Sequence, residues 1–89
     1  MARMDISTIE QAEIAAQTGA PDALFELGLL YCTGRDVEMD LVTAHKWFNL
    51  AALRGNSAAL DYRLELAREM SQYEVAEAQK AAREWLTTH

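Results

Sequence analysis

At 89 residues, of which 51% are hydrophobic, the chain has room for one domain and a single core near the lower size limit for stable burial. Eight Lys and Arg stand against 14 Asp and Glu, and the resulting formal charge of -6 repels phosphate backbones and anionic lipid. Nucleic acid and a membrane surface are thereby excluded as main partners, and a lone cysteine, Cys32, excludes an intramolecular disulfide or a thiolate metal cluster.

The opening stretch MARMDISTIEQ lacks the apolar segment of a secretory signal. No run is long enough to span a bilayer, so a cytoplasmic location is expected. Many Ala, one Pro and few strand formers point to an all-α domain. Ser7 and Glu10 have capping-box spacing ahead of Ile9, Ala12 and Ala16, which predicts a first helix over about Ser7 to Thr18. Gly19 ends it, and Pro21 suits the first turn of a second helix.

In that second helix Leu24, Leu27, Gly28 and Tyr31 form one buried stripe. Gly28 costs roughly 1 kcal/mol of helix propensity and makes sense where a neighbouring helix comes too close for a side chain. Gly34 ends this helix, Val37 anchors the connection that follows, and Asp40 caps a third helix over about Leu41 to Arg54. The third helix puts Leu41, Ala44, Phe48, Ala51 and Ala52 on one side, with Trp47 and Leu50 widening that face. After Gly55, Asn56 or Ser57 can cap a fourth helix with two apolar rows. One row is Ala59, Tyr62, Leu66 and Met70, the other Leu60, Leu64 and Ala67, and the pair predicts burial on more than one side. Ser71 and Glu74 open a fifth helix carrying Val75, Ala78, Ala82, Trp85 and Leu86 on one face, with a frayed end from Thr87 to His89.

The chain is also similar to itself. Ala15-Ala16-x-x-Gly19 recurs as Ala51-Ala52-x-x-Gly55, 36 residues on, and the same offset relates Ala23 to Ala59 and Leu24 to Leu60. A period of that size marks stacked helical hairpins, the α/α solenoid. Ala23, Leu27, Gly28, Tyr31, Gly34, Val37, Asp40, Ala44, Trp47, Phe48, Ala51, Ala52, Gly55 and Ala59 together resemble the Sel1-like repeats, relatives of the tetratricopeptide repeats. Asp36 is the one departure, standing where that family usually has a second loop Gly, and Asp tolerates a left-handed backbone better than most residues. On this resemblance, residues 20–55 are one intact repeat. Residues 6–19 are an N-terminal capping helix with Gln11 and Ala12 in place of the aromatic pair. Residues 56–87 are C-terminal capping helices, whose segment LELAREMSQYEVAEAQKAAREW resembles the closing tail of many bacterial Sel1-like proteins.

The resemblance implies a non-enzymatic adaptor or scaffold in bacterial signalling or regulation, binding another protein or a peptide without a cofactor. In such a fold the first helix of each pair lines a concave surface. Glu26, Leu29, Thr33 and Arg35 become the contact candidates there, and Tyr62, Tyr73 and Trp85 those outside the intact repeat. With little more than one repeat the ends stay partly apolar, which predicts self-association or docking on a larger partner.

The opposing reading is an enzyme with Cys32 as nucleophile and His45 as base, which needs an orienting third group and an oxyanion site that the sequence does not indicate. Cysteine-rich relatives of Sel1-like repeats are implicated in β-lactam chemistry, but they look like disulfide-stapled secreted proteins, unlike a chain with one cysteine. An acidic, antitoxin-like inhibitor is compatible with the charge alone. Asp36, Glu38 and Asp40 crowd one loop, but they lack the Gly and distal Glu of a calcium loop, and Asp40 is more simply a helix cap.

Overall fold

The computed structural model describes residues 7–89, and over them the protein is all-α, with five helices: α1 (Thr8–Ala16), α2 (Pro21–Thr33), α3 (Leu41–Leu53), α4 (Ser57–Ala67) and α5 (Gln72–Thr88). The reading of the first residues as no secretory signal, and the start of the N-terminal unit at residue 6, lie outside the described residues. Each start has an identifiable cause. Ser7 and Ser71 accept the N–H of Glu10 and Glu74 at 3.2 and 3.0 Å, and both glutamates accept the serine N–H in return. Asp40 and Asn56 accept the N–H of Thr43 and Ala59 at 3.1 and 3.0 Å. Only α2 lacks a side-chain cap, and it has Pro21 in its first turn, where the missing N–H is not needed.

Helix α2 ends as the sequence indicates. Gly34 takes φ 72°, and the Arg35 N–H reaches back to the Leu30 carbonyl at 3.0 Å, satisfying one of the carbonyls that a helix end leaves open. In the connection, Asp36 adopts φ 65°, the left-handed conformation that a glycine would take most easily. The Asp40 N–H then bonds the Tyr31 carbonyl at 3.1 Å and closes the α2–α3 hairpin. Gly19 and Gly55, the two glycines of the internal repeat, share positive φ values of 77° and 111°.

The core lies between α2 and α3. Leu24, Leu27, Phe48, Leu50, Ala44 and Ala51 are fully buried, and Leu30 is 2% exposed. Gly28 faces Phe48 so closely that a Cβ there would stand 2.4 Å from Phe48 Cε1. Phe25 and Tyr62 complete an aromatic cluster on Phe48, with ring centroids 5.7 and 5.4 Å from it. Helix α3 is the hub: α2, α4 and α5 all pack on it, while α1 lies against α2.

Two expectations fail at the C-terminal side. Of the two rows on α4, only Ala59 and Leu66 are buried, and Leu60 and Leu64 are 41% and 52% exposed. The reason is that α5 folds back onto α3, leaving the second row of α4 uncovered among the described residues. The frayed end is also absent. Helix α5 runs to Thr88, the Thr87 and Thr88 hydroxyls donate to the carbonyls of Glu84 and Trp85, and the His89 ring stacks on Trp85 at 4.0 Å. Among the described residues no helix is long and apolar enough to cross a membrane.

Candidate functional site

Where α1 and the α3–α5 pair part, a cavity of about 350 Å³ opens, lined by Glu13, Ala16, Gln17, Leu27, Trp47, Trp85 and His89. Glu13 and Gln17 stand one turn apart on α1 and its C-terminal cap, on the same side as Ala16. Buried Leu27 contributes from α2. Trp47 on α3 and Trp85 on α5 meet edge to face, with centroids 6.1 Å apart and planes at 82°. They are the only tryptophans in the chain.

Charged groups border these rings. The Lys46 ammonium lies 4.2 Å from the Trp47 ring centroid, and the Arg54 guanidinium 5.6 Å from that of Trp85. Burial pushes the Lys46 pKa down, and the carboxylates of Glu84 and Glu13 oppose that shift. Burial, then the charges of Glu13 and Asp40, raise the Tyr31 pKa. The Trp47 indole N–H is buried without a partner. An unpaired buried donor of this kind costs about 1–3 kcal/mol.

Of the seven sequence-level contact candidates, only Trp85 lines this cavity. Glu26, Thr33 and Arg35 are exposed on α2 and its exit, with the Thr33 hydroxyl turned back to the Leu29 carbonyl at 2.8 Å. Leu29 is half-buried and packs on the core, so less of it is open to a partner than the sequence reading expects. Tyr62 keeps 44% exposure but stacks on Phe48 and meets Phe25 edge-on at 5.2 Å, which makes it part of the packing between α2, α3 and α4. Tyr73 is 74% exposed at the start of α5. Glu13, Gln17 and His89 escape sequence reasoning because their convergence depends on how α1 and α5 are placed around α3, which no local pattern encodes.

Cys32 and His45 share no hydrogen bond. Burial, then the charge of Glu69, raises the Cys32 thiol pKa, which lowers its thiolate fraction at neutral pH. His45 is 2% exposed, its Nδ1 has no partner, and burial, then Arg63, lowers its pKa. Asp40 is occupied as a cap, with Oδ2 accepting the Thr43 hydroxyl at 2.8 Å. No group of three or more His, Cys, Asp or Glu able to hold a metal ion occurs among the described residues. Comparison with protein-family models, with curated proteins and with solved structures returns no match.

Proposed function

We propose that the chain is a protein–protein interaction module, a non-enzymatic adaptor or scaffold of the Sel1-like repeat type, acting in the cytoplasm in bacterial signalling or regulation. The observation that carries the reading is the uncovered apolar face of α4. Leu60 and Leu64 lie one helical turn apart on α4, each more than 40% exposed, whereas the other exposed aliphatic residues, Ile14, Met39, Leu53 and Leu86, stand singly on different elements. Apolar surface of this kind marks a place where another protein docks. Support for the repeat comes from the α2–α3 hairpin. Gly28 gives way to Phe48, and Gly34 and Asp36 take left-handed backbone at the positions where the repeat uses glycine.

The partner is another protein or a second copy of the chain, and substitution of the apolar face separates an interaction role from mere packing. The variant Leu60→Glu with Leu64→Glu is expected to keep the fold, because both side chains reach solvent, and to lose the partner that the native chain retains on affinity capture. Light scattering of the two proteins identifies the second-copy case by a change in mass. Capture indistinguishable between the two proteins, together with a strict monomer for both at micromolar concentration, overturns the reading.

A further inference from the structure

We infer that the chain forms a domain-swapped dimer, in which α4 and α5 join into one helix and the α5 of each copy packs on the α3 of the other. The inference rests on the interaction reading and names the partner as a second copy of this chain.

The end of α4 differs from the ends of the three helices before it. Helices α1, α2 and α3 each lead into a glycine with positive φ, Gly19, Gly34 and Gly55, a left-handed stop. The connection from Arg68 to Ser71 has no residue of positive φ, and from Ser57 to Thr88 the sequence has neither glycine nor proline. Arg68 keeps helical backbone, and the N–H groups of Arg68, Glu69 and Met70 still bond the carbonyls of Glu65, Leu66 and Ala67. The break falls at Ser71, whose ψ of 162° is extended and whose capping box with Glu74 holds it there.

Register decides which side of a joined helix is apolar. Leu60, Leu64 and Ala67 on α4 continue through Ser71 into Val75, Ala78, Ala82 and Trp85 on α5, at steps of three or four residues. The uncovered row of α4 and the stripe by which α5 packs on α3 are therefore one stripe of the joined helix. Ala59 and Leu66, which hold α4 on its own α3, lie off that stripe. Once joined, the 17-residue α5 extends about 25 Å away from the α3 it covered and bares the face where Trp85 meets Trp47. Ala78 and Ala82 are fully buried and 1% exposed, so that face is fitted to α5 in particular. The α5 of a second copy refills it with the same contacts, and the exchange is reciprocal. Because α5 packs on α3 and not comparably on α4, exchange gives up little beyond the capping box and the turn, and it carries Leu60 and Leu64 to the side facing the second copy.

Refolding from urea at high protein concentration, read by light scattering, measures the exchange. The native chain is expected to yield dimer, and Ser71→Ala, which removes the cap that holds the break, to raise the association constant about tenfold. Ser71→Pro suits the closed chain, where φ is -74°, but not a helix interior, and should stay monomeric. Glu69→Gly, exposed in the same connection, should lower the constant about tenfold and serves if the proline variant does not fold. In dimer refolded from isotope-labelled and unlabelled chains, magnetic resonance contacts between the Trp47 and Trp85 rings should run between chains. The inference is overturned if the native chain and Ser71→Ala both stay monomeric, if neither Ser71→Pro nor Glu69→Gly lowers the dimer, or if the ring contacts in the dimer stay within one chain. If the swap is overturned while Leu60→Glu with Leu64→Glu still loses a captured protein, the interaction reading stands without it.

Discussion

Gly28 and Phe48 are in contact across α2 and α3 at a distance that leaves no room for a methyl group: a Cβ on Gly28 would stand 2.4 Å from Phe48 Cε1 and 2.5 Å from Cδ1. Phe48 is fully buried and also stacks on Tyr62, so its ring cannot swing aside without disturbing α4. Gly28→Ala should therefore destabilise the fold by about 1–3 kcal/mol through overpacking, even though Ala is the better helix former by about 1 kcal/mol. Urea denaturation measures this. Adding Phe48→Leu to Gly28→Ala should cost less than the sum of the two single changes, and strict additivity would show that the two residues do not press on each other.

The left-handed backbone at Asp36 gives a ranking of substitutions. A side chain at φ 65° carries roughly 1 kcal/mol of steric cost, which Gly removes while adding chain entropy to the unfolded state. Asp36→Gly is expected to be neutral or slightly stabilising, and Asp36→Val, branched at Cβ, to lower the melting temperature. Val as stable as Asp would mean that the loop does not hold this conformation.

Capping supplies a third test. Asp40 accepts from both the N–H and the hydroxyl of Thr43, so Asp40→Ala should cost about 1 kcal/mol. Asp40→Asn keeps an acceptor and should cost much less. Equal losses for Ala and Asn in thermal denaturation would assign the role of Asp40 to its charge instead.

His45 makes stability depend on pH. Burial, then Arg63, holds its folded pKa below the ordinary 6.5, so at intermediate pH the unfolded chain binds the proton more readily than the folded one. The contribution is complete above pH 6.5 and is lost as pH falls from there toward the lowered folded pKa, by at most about 1.4 kcal/mol per pH unit. Urea titrations between neutral pH and the onset of carboxylate protonation should show this slope in the native chain and a flatter one in His45→Leu. The same slope in both would place the proton elsewhere.

Local chemistry explains how much of this was legible. Each helix start follows from a cap within three residues or, in α2, from a proline, and the α2–α3 hairpin follows from a buried stripe flanked by Gly34 and Asp40. Even the need for space at Gly28 can be read from a glycine in mid-helix. The fate of α5 cannot be read locally, because its capping box and apolar face fit equally well against α4 or α3. That single ambiguity decides whether Leu60 and Leu64 are buried. It also decides whether Trp85 reaches Trp47 and whether Glu13, 72 residues before Trp85, shares a cavity with it.

Affinity capture from the native cell with the chain and with its Leu60→Glu, Leu64→Glu form, read by mass spectrometry beside light scattering, asks whether the exposed face of α4 holds a partner. A partner, or a second copy, should be held by the native chain and absent from a variant that unfolds at the same temperature. An equally folded variant that captures the same proteins in the same amounts, with both forms monomeric, would contradict it.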